Sequence, residues 1–348
     1  MSDEEEVVEE IQSEEEDKEA GVPIYEIVSY PSDPTLELLY SKWQRQEIII
    51  PPYQRGWVWK HAQASKLVES FLLGLPVPAI FVYKEPSSQK QVVIDGQQRL
   101  RTIWGFFEGR LPDGNEFYLK GVSSKWEGKY YNTLNEAERI RFRDSVLRTV
   151  IVEQLNPQDK TSIYHIFERL NTGGTGLTPQ EVRNSTYHGP FNDLMVELNR
   201  DATWRNIFGS SEADSRMRDV ELIVRFLALF EGADSYTKPM KQFLNNYMSN
   251  HQWDDTKEPY QNAFLNAIKR VYDALGSRPF HIKRGINVAV FDSTTLAFAR
   301  STTTPHDIAK RFQKLLGNPS YEETISSGTT DVDTVKRRIQ LAQEILFK

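Results

Sequence analysis

Lys90-Gln-Val-Val-Ile-Asp-Gly-Gln-Gln-Arg-Leu-Arg-Thr-Ile-Trp-Gly-Phe-Phe-Glu108 is the stretch on which the fold turns. Val92, Val93 and Ile94 form a continuous β-branched run, the pattern of a short buried strand. Asp95-Gly96 breaks that run, and from Gln97 apolar residues return at helical spacing: Leu100, Ile103, Trp104 and Phe107. The pattern predicts strand, tight turn, helix. A helix start leaves its first amides unpaired and carries the positive end of the dipole, so this element suits a phosphate group. Arg99 and Arg101 add charge, and Arg99 can grip a phosphate through two parallel hydrogen bonds. The same residues also fit a plain turn followed by a surface arginine, and short motifs often misfire.

The surrounding chain has 348 residues, enough for about two domains. Its 39% hydrophobic content, with seven Trp, fifteen Tyr and eighteen Phe, supports packed cores. Cysteine is absent, which excludes disulfides, thiolate metal sites and cysteine nucleophiles. No apolar run approaches the ~18 residues of a membrane span. The acidic N-terminus is the opposite of a signal peptide. A cytoplasmic protein without membrane association is expected. The net charge of −7 is misleading, because residues 1–20 carry eleven Asp or Glu against one Lys. That block sums to −10 and leaves +3 for the rest. Such a block stays disordered through charge repulsion, or mimics nucleic acid and shields a basic groove. Nucleic-acid binding is allowed by the near-neutral remainder without being announced by it.

Around the opening element, residues 23–32 read as an edge strand, 35–44 as a helix and 47–50 as a strand stopped by Pro51-Pro52. Tyr53-Gln-Arg-Gly-Trp-Val-Trp59 then places two indoles, a phenol and an arginine within seven residues. Trp57 and Trp59 share one side of an extended segment. They fit a core corner, or an aromatic wall that stacks on a base or sugar beside a cation. A helix over 61–73 ends at Gly74, strands follow at 79–83 and 92–94, and Asp113-Gly114 reads as a hairpin turn. Thr133-Leu-Asn-Glu136 has the form of a capping box for a helix to about 143, and 146–155 reads as a strand.

Helices dominate from there. Residues 158–170 are amphipathic and run into Asn171-Thr-Gly-Gly-Thr-Gly176, a loop able to expose backbone amides. It reads either as a hinge or as a ligand-facing lid. Thr178-Pro-Gln-Glu181 combines cap, proline and acidic residue in the order of a helix start. Further helices are expected over 191–199, 219–230, 240–248, 260–275, 288–299, 305–316 and 332–347. The start at 305 rests on Thr304-Pro305. No fixed-period repeat supports a solenoid.

Several chemistries are missing. The six histidines show no metal-binding spacing, and the nucleophile elbow, the Walker loop and the dinucleotide glycine turn are absent. His165 and His188 read as core or surface residues, His188 being the one worth testing. Asp95 is the best carboxylate for a divalent ion or a water.

Five blocks now stand in order: Pro52-Tyr-Gln-Arg-Gly-Trp-Val-Trp59, Leu67-Val-Glu-Ser-Phe-Leu-Leu-Gly-Leu-Pro-Val-Pro78, Val93-Ile-Asp-Gly-Gln-Gln-Arg-Leu100, Ile166-Phe-Glu-Arg-Leu-Asn-Thr-Gly-Gly174 and Leu177-Thr-Pro-Gln-Glu-Val-Arg-Asn184. Together they resemble the N-terminal domain of GmrSD-type restriction endonucleases, over about residues 45–230. The resemblance implies an α+β chain: a ParB/sulfiredoxin-like nucleotide-binding domain over 23–155 and a helical domain over 156–348, after the acidic tail 1–22. It also implies binding and hydrolysis of a nucleoside triphosphate with a divalent cation such as Mg, coupled to defence against invading DNA. Asp95, Gly96, Gln97, Gln98 and Arg99 match the family's nucleotide motif, and Tyr53, Gln54 and Arg55 match the block facing the same pocket. Relatives that cut DNA use an HNH nuclease domain with a His-x-x-Pro block. No histidine here has that spacing, so DNA cleavage is expected from a separate HNH-type subunit.

Two functions follow as expectations. In the first, the chain is an NTP-hydrolysing sensor or regulator subunit. Arg99, Arg55 and Arg101 hold phosphates, Gln97 or Gln98 orients water, and Asp95 handles metal or proton transfer. In the second, it is a non-catalytic module that reads modified DNA through Tyr53, Trp57 and Trp59, with Asn171, Thr172, Gly173 and Gly174 as further contacts. A homo-oligomer is compatible with either.

Overall fold

The computed structural model describes residues 27–51, 56–86, 88–155, 161–170, 177–282 and 285–348. The expected acidic tail, the block 52–55 and the glycine-rich loop 171–176 lie outside the described residues. The chain divides into two compact units, one built on 24–176 and the other on 177–348. The architecture is mixed α+β, a sheet in the first unit and helices in the second.

Five strands form one sheet: β1 (Ile27–Ser32), β2 (Ile48–Ile49), β3 (Ile80–Lys84), β4 (Gln91–Asp95) and β5 (Thr149–Gln154). Their order is β1-β5-β3-β4-β2. β1 and β5 are antiparallel, β5 and β3 parallel, β3 and β4 antiparallel, β4 and β2 parallel. Around the sheet lie α1 (Leu36–Gln44), α2 (His61–Leu73), α3 (Gln97–Glu108), α4 (Glu136–Asp144) and α5 (Thr161–Leu170). Val92, Val93 and Ile94 are all buried, so both faces of β4 are covered, as the unbroken apolar run requires. Leu100, Ile103, Trp104 and Phe106 of α3 are buried in one core with Ile80, Val82 and Val93. Phe106 meets Phe117 and Phe142 edge-on, centroids 5.3 and 5.2 Å away, which fixes the far end of α3.

Two local expectations are corrected in this unit. Asn135, two residues beyond Thr133, caps α4: it accepts from the Glu138 N–H, and the Glu138 carboxylate accepts from the Asn135 N–H. Glu138 also accepts from Trp126 Nε1–H at 2.9 Å, and this buried tie selects the register. Thr133 instead ends a 3-10 turn. Around Gly114 only an isolated bridge, Arg110 to Glu116, takes the place of a hairpin. Leu111 and Phe117 on either side are buried in the core rather than paired in a ladder.

The second unit runs through α6 (Pro179–Thr186), α7 (Pro190–Leu198), α8 (Ala202–Phe208), α9 (Arg218–Gly232), α10 (Met240–His251), α11 (Glu258–Leu275), α12 (Val288–Arg300), α13 (Ile308–Leu316), α14 (Pro319–Ser326) and α15 (Val332–Phe347). Thr178 caps α6 with Pro179 in the first turn and Glu181 completing the box, as its sequence dictates. α12 is buried from Val288 to Phe298 and packs on α9, α11 and α15. Arg225 and Asp292 join α9 to α12 at 2.6 Å in that interior. α8 and α14 are short helices that the apolar periodicity did not reveal, although Asp201 and Asn318 cap them. α13 starts later than Pro305, because the Pro305 carbonyl accepts from the Ile308 N–H in a preceding turn.

Candidate functional site

β4 delivers Asp95 to the sheet's end, and Gly96 turns the chain into α3 with φ +97°. That left-handed backbone favours glycine, and space requires it too: a Cβ here would overlap Ile80 Cγ2. Among the described residues no side chain caps α3 at Gly96, and unpaired first-turn amides are the feature that lets a helix start attract an anion.

Arg99 folds back over this turn. Its Nη2 donates to Asp95 Oδ2 at 2.9 Å and to the Ala79 carbonyl at 3.1 Å. The Arg99 side chain is mostly covered, with Nε buried and without a hydrogen bond to a described residue, while the Asp95 side chain is 41% exposed. Asp95 Oδ1 accepts no bond from a described residue. The motif's two charged groups therefore form one cluster at the strand–helix junction.

The two glutamines do different work. Gln98 Nε2 donates to the Gly56 carbonyl at 3.0 Å, and its Oε1 accepts from the Val58 N–H at 3.3 Å. Both ends of its amide thus hold an extended segment, and the residue following Arg55 is anchored to the first turn of α3. Gln97 Oε1 accepts from Arg101 Nε at 3.3 Å. Arg101 faces away from Asp95 into a separate cavity, where burial lowers its proton affinity. Trp57 and Trp59 sit 6.3 Å apart on one side of their segment, partly buried and packed against the core, while Val58 between them is exposed. Tyr53, Gln54, Arg55, Asn171, Thr172, Gly173 and Gly174 lie outside the described residues.

Among the described residues no group of three or more His, Asp or Glu gathers to hold a metal. Mg²⁺ commonly binds through one or two carboxylates, several waters and the substrate's phosphates, so the lone Asp95 fits that mode. His165 is buried 3.5 Å from Glu168, and the His188 ring meets Trp253 edge-on. Sequence reasoning missed a buried polar cluster at α6, where Arg183 donates to Gln180, Glu221 and Asn245. The signal was an arginine on the face that periodicity assigns to the core.

Fold and junction define an α+β protein with an Asp–Arg pair at a strand–glycine–helix junction. Residues 36–188 match the model of the GmrSD restriction endonuclease, N-terminal domain. The match takes in all five blocks quoted above and ends earlier than the stretch 45–230 over which the resemblance was expected. It points to a component of a restriction system used in phage defence. No curated protein matches the chain. No described helix is long and apolar enough to cross a membrane.

Proposed function

We propose that the chain is the nucleotide-binding, NTP-hydrolysing sensor or regulator subunit of a modification-dependent restriction system. The observation that carries this reading is the Asp95–Arg99 cluster beside the uncapped start of α3. Free amides and the helix dipole favour a phosphate there, and Arg99 supplies a cation whose Nη1 makes no bond with a described residue. Asp95 would hold a divalent cation, which when bound neutralises charge on the triphosphate. Its open Oδ1 can alternatively accept the proton of an attacking water. Gln98 holds the extended segment carrying Trp57, from Gly56 to Val58, against the first turn of α3. Gln97 is the glutamine left to orient a water, since its tie to Arg101 is single and long. In this reading the core is of the ParB/sulfiredoxin-like kind. DNA is the sensed partner, and cutting belongs to a separate HNH-type nuclease.

A phosphate-release assay on the wild type and Asp95→Ala, with each common NTP and Mg²⁺, tests the activity. Release by the wild type and its loss in the variant support the reading. Equal background rates in both remove the enzyme claim.

A further inference from the structure

α3 carries a second basic surface that the nucleotide reading leaves unused. Arg99 and Arg101 stand two positions apart, about 200° around the helix. Arg99 turns to the Ala79 carbonyl, whereas Arg101 enters a cavity of about 540 Å³ between α1, β2 and the second half of α3. That volume falls within the span typical of small-molecule sites.

Part of the wall is apolar. Ile48, Ile49 and Ile50 form one side, and Trp43 and Trp104 another, their rings stacked with centroids 4.6 Å apart. Gly105 lets the chain after α3 close the floor, because a Cβ there would meet the Arg110 carbonyl. Arg101, Arg110 and Glu108 also line this space, Arg110 and Glu108 at its exposed side. Arg101 is half-buried, and among the described residues its one side-chain hydrogen bond is the 3.3 Å contact with the neutral Gln97 amide. Neither arginine has a carboxylate within ion-pair distance among the described residues. Burying a cation without a counter-charge is costly. The cost is met if an anion occupies the cavity.

We propose that this cavity binds a small organic anion with a flat ring system, of nucleoside monophosphate size, held by Arg101 and Arg110 against the isoleucine and tryptophan walls. The site is separate from the Asp95–Arg99 junction, and its existence does not depend on hydrolysis there.

Calorimetric titration of the full chain with the four ribonucleoside monophosphates, their nucleosides and inorganic phosphate tests it. The titration is run in an Arg99→Gln background, which disables the junction. At least one monophosphate binds saturably there, at least tenfold more tightly than its nucleoside or inorganic phosphate. Adding Arg101→Gln weakens it at least tenfold, and Arg101→Lys restores part of the loss. In the otherwise unaltered protein the same probe shifts the indole N–H resonances of Trp43 and Trp104. No saturable binding at millimolar probe overturns the proposal. So does binding that ignores Arg101.

Discussion

Arg99 Nη2 lies 2.9 Å from Asp95 Oδ2, one helical turn back along the chain. Each group is thereby held ready and kept neutralised by the other. A phosphate arriving at α3 competes with Asp95 for the guanidinium, and a divalent cation competes with Arg99 for the carboxylate. Ligand and metal together satisfy both partners, which neither does alone. Nucleotide and Mg²⁺ should therefore bind cooperatively. Arg99→Ala removes a charge-assisted contact worth about 1.5–3 kcal/mol, so nucleotide affinity should fall roughly 10- to 100-fold. Titration with and without Mg²⁺ reads both effects, and an unchanged affinity in Arg99→Ala would remove the phosphate role.

Gly96 should tolerate no side chain. Its φ of +97° and the overlap of a Cβ with Ile80 make Gly96→Ala strained and overpacked at once. A loss of about 2–4 kcal/mol is expected, combining a left-handed backbone penalty with core overpacking. Ile80→Ala in the same chain removes the overlap but opens a cavity, so the double variant should lose less than the sum of the singles. Urea unfolding measures all three.

The junction was legible because the apolar period changes from a strand run at 92–94 to helical spacing from Leu100 within a few residues. The start of α6 was legible for a similar reason: Thr178, Pro179 and Glu181 each satisfy a local backbone need. What stayed hidden was non-local. Gln98 reaches a segment forty residues earlier in the chain, and no local pattern marks a side-chain amide that holds a distant backbone segment. Arg101 looked like a companion of Arg99, and only its position around the helix axis separates the two. The α4 cap reads as Thr133 in the sequence and lies at Asn135, where Trp126, distant in the pattern, ties down Glu138.

Gln98 offers a direct test of its clamping role. Gln98→Ala deletes two hydrogen bonds to the 56–58 backbone, a loss of about 1–2 kcal/mol. Gln98→Glu keeps the acceptor for Val58 N–H but sets a carboxylate against the Gly56 carbonyl. It should be no better than alanine. Faster proteolysis near Trp57 and a changed indole environment there are the expected readouts. An unaltered cleavage rate would show that the segment is held by other means.

Acid should reveal Glu138. Burial acts to raise its pKa, but the Trp126 indole, Lys125, the Asn135 amide and Lys129 together prevail and hold the carboxyl at about 2, against a usual 4.5. The folded state therefore binds this proton less readily than the unfolded chain. The resulting stability is complete above about pH 4.5 and drains away as pH falls toward 2, by order 2–3 kcal/mol. Glu138→Gln should lower stability at pH 7 and flatten this part of the pH profile. Denaturant unfolding at pH 7, 4 and 2.5 compares the two slopes, and parallel profiles would contradict the assignment.

Arg225 and Asp292 set the sharpest stability prediction for the helical unit. Their 2.6 Å pair joins α9 to α12, and both side chains are almost completely buried. Losing one partner strands the other's charge in the buried interior, so Asp292→Leu or Arg225→Met alone should cost about 3–5 kcal/mol. Replacing both together by apolar residues of similar volume, Arg225→Met with Asp292→Leu, removes both desolvation costs along with the attraction. That double variant should be markedly more stable than either single. Thermal unfolding of the four proteins forms a double-mutant cycle. A double variant that loses the sum of the singles would show that the pair contributes no coupling and that the penalties come from packing alone.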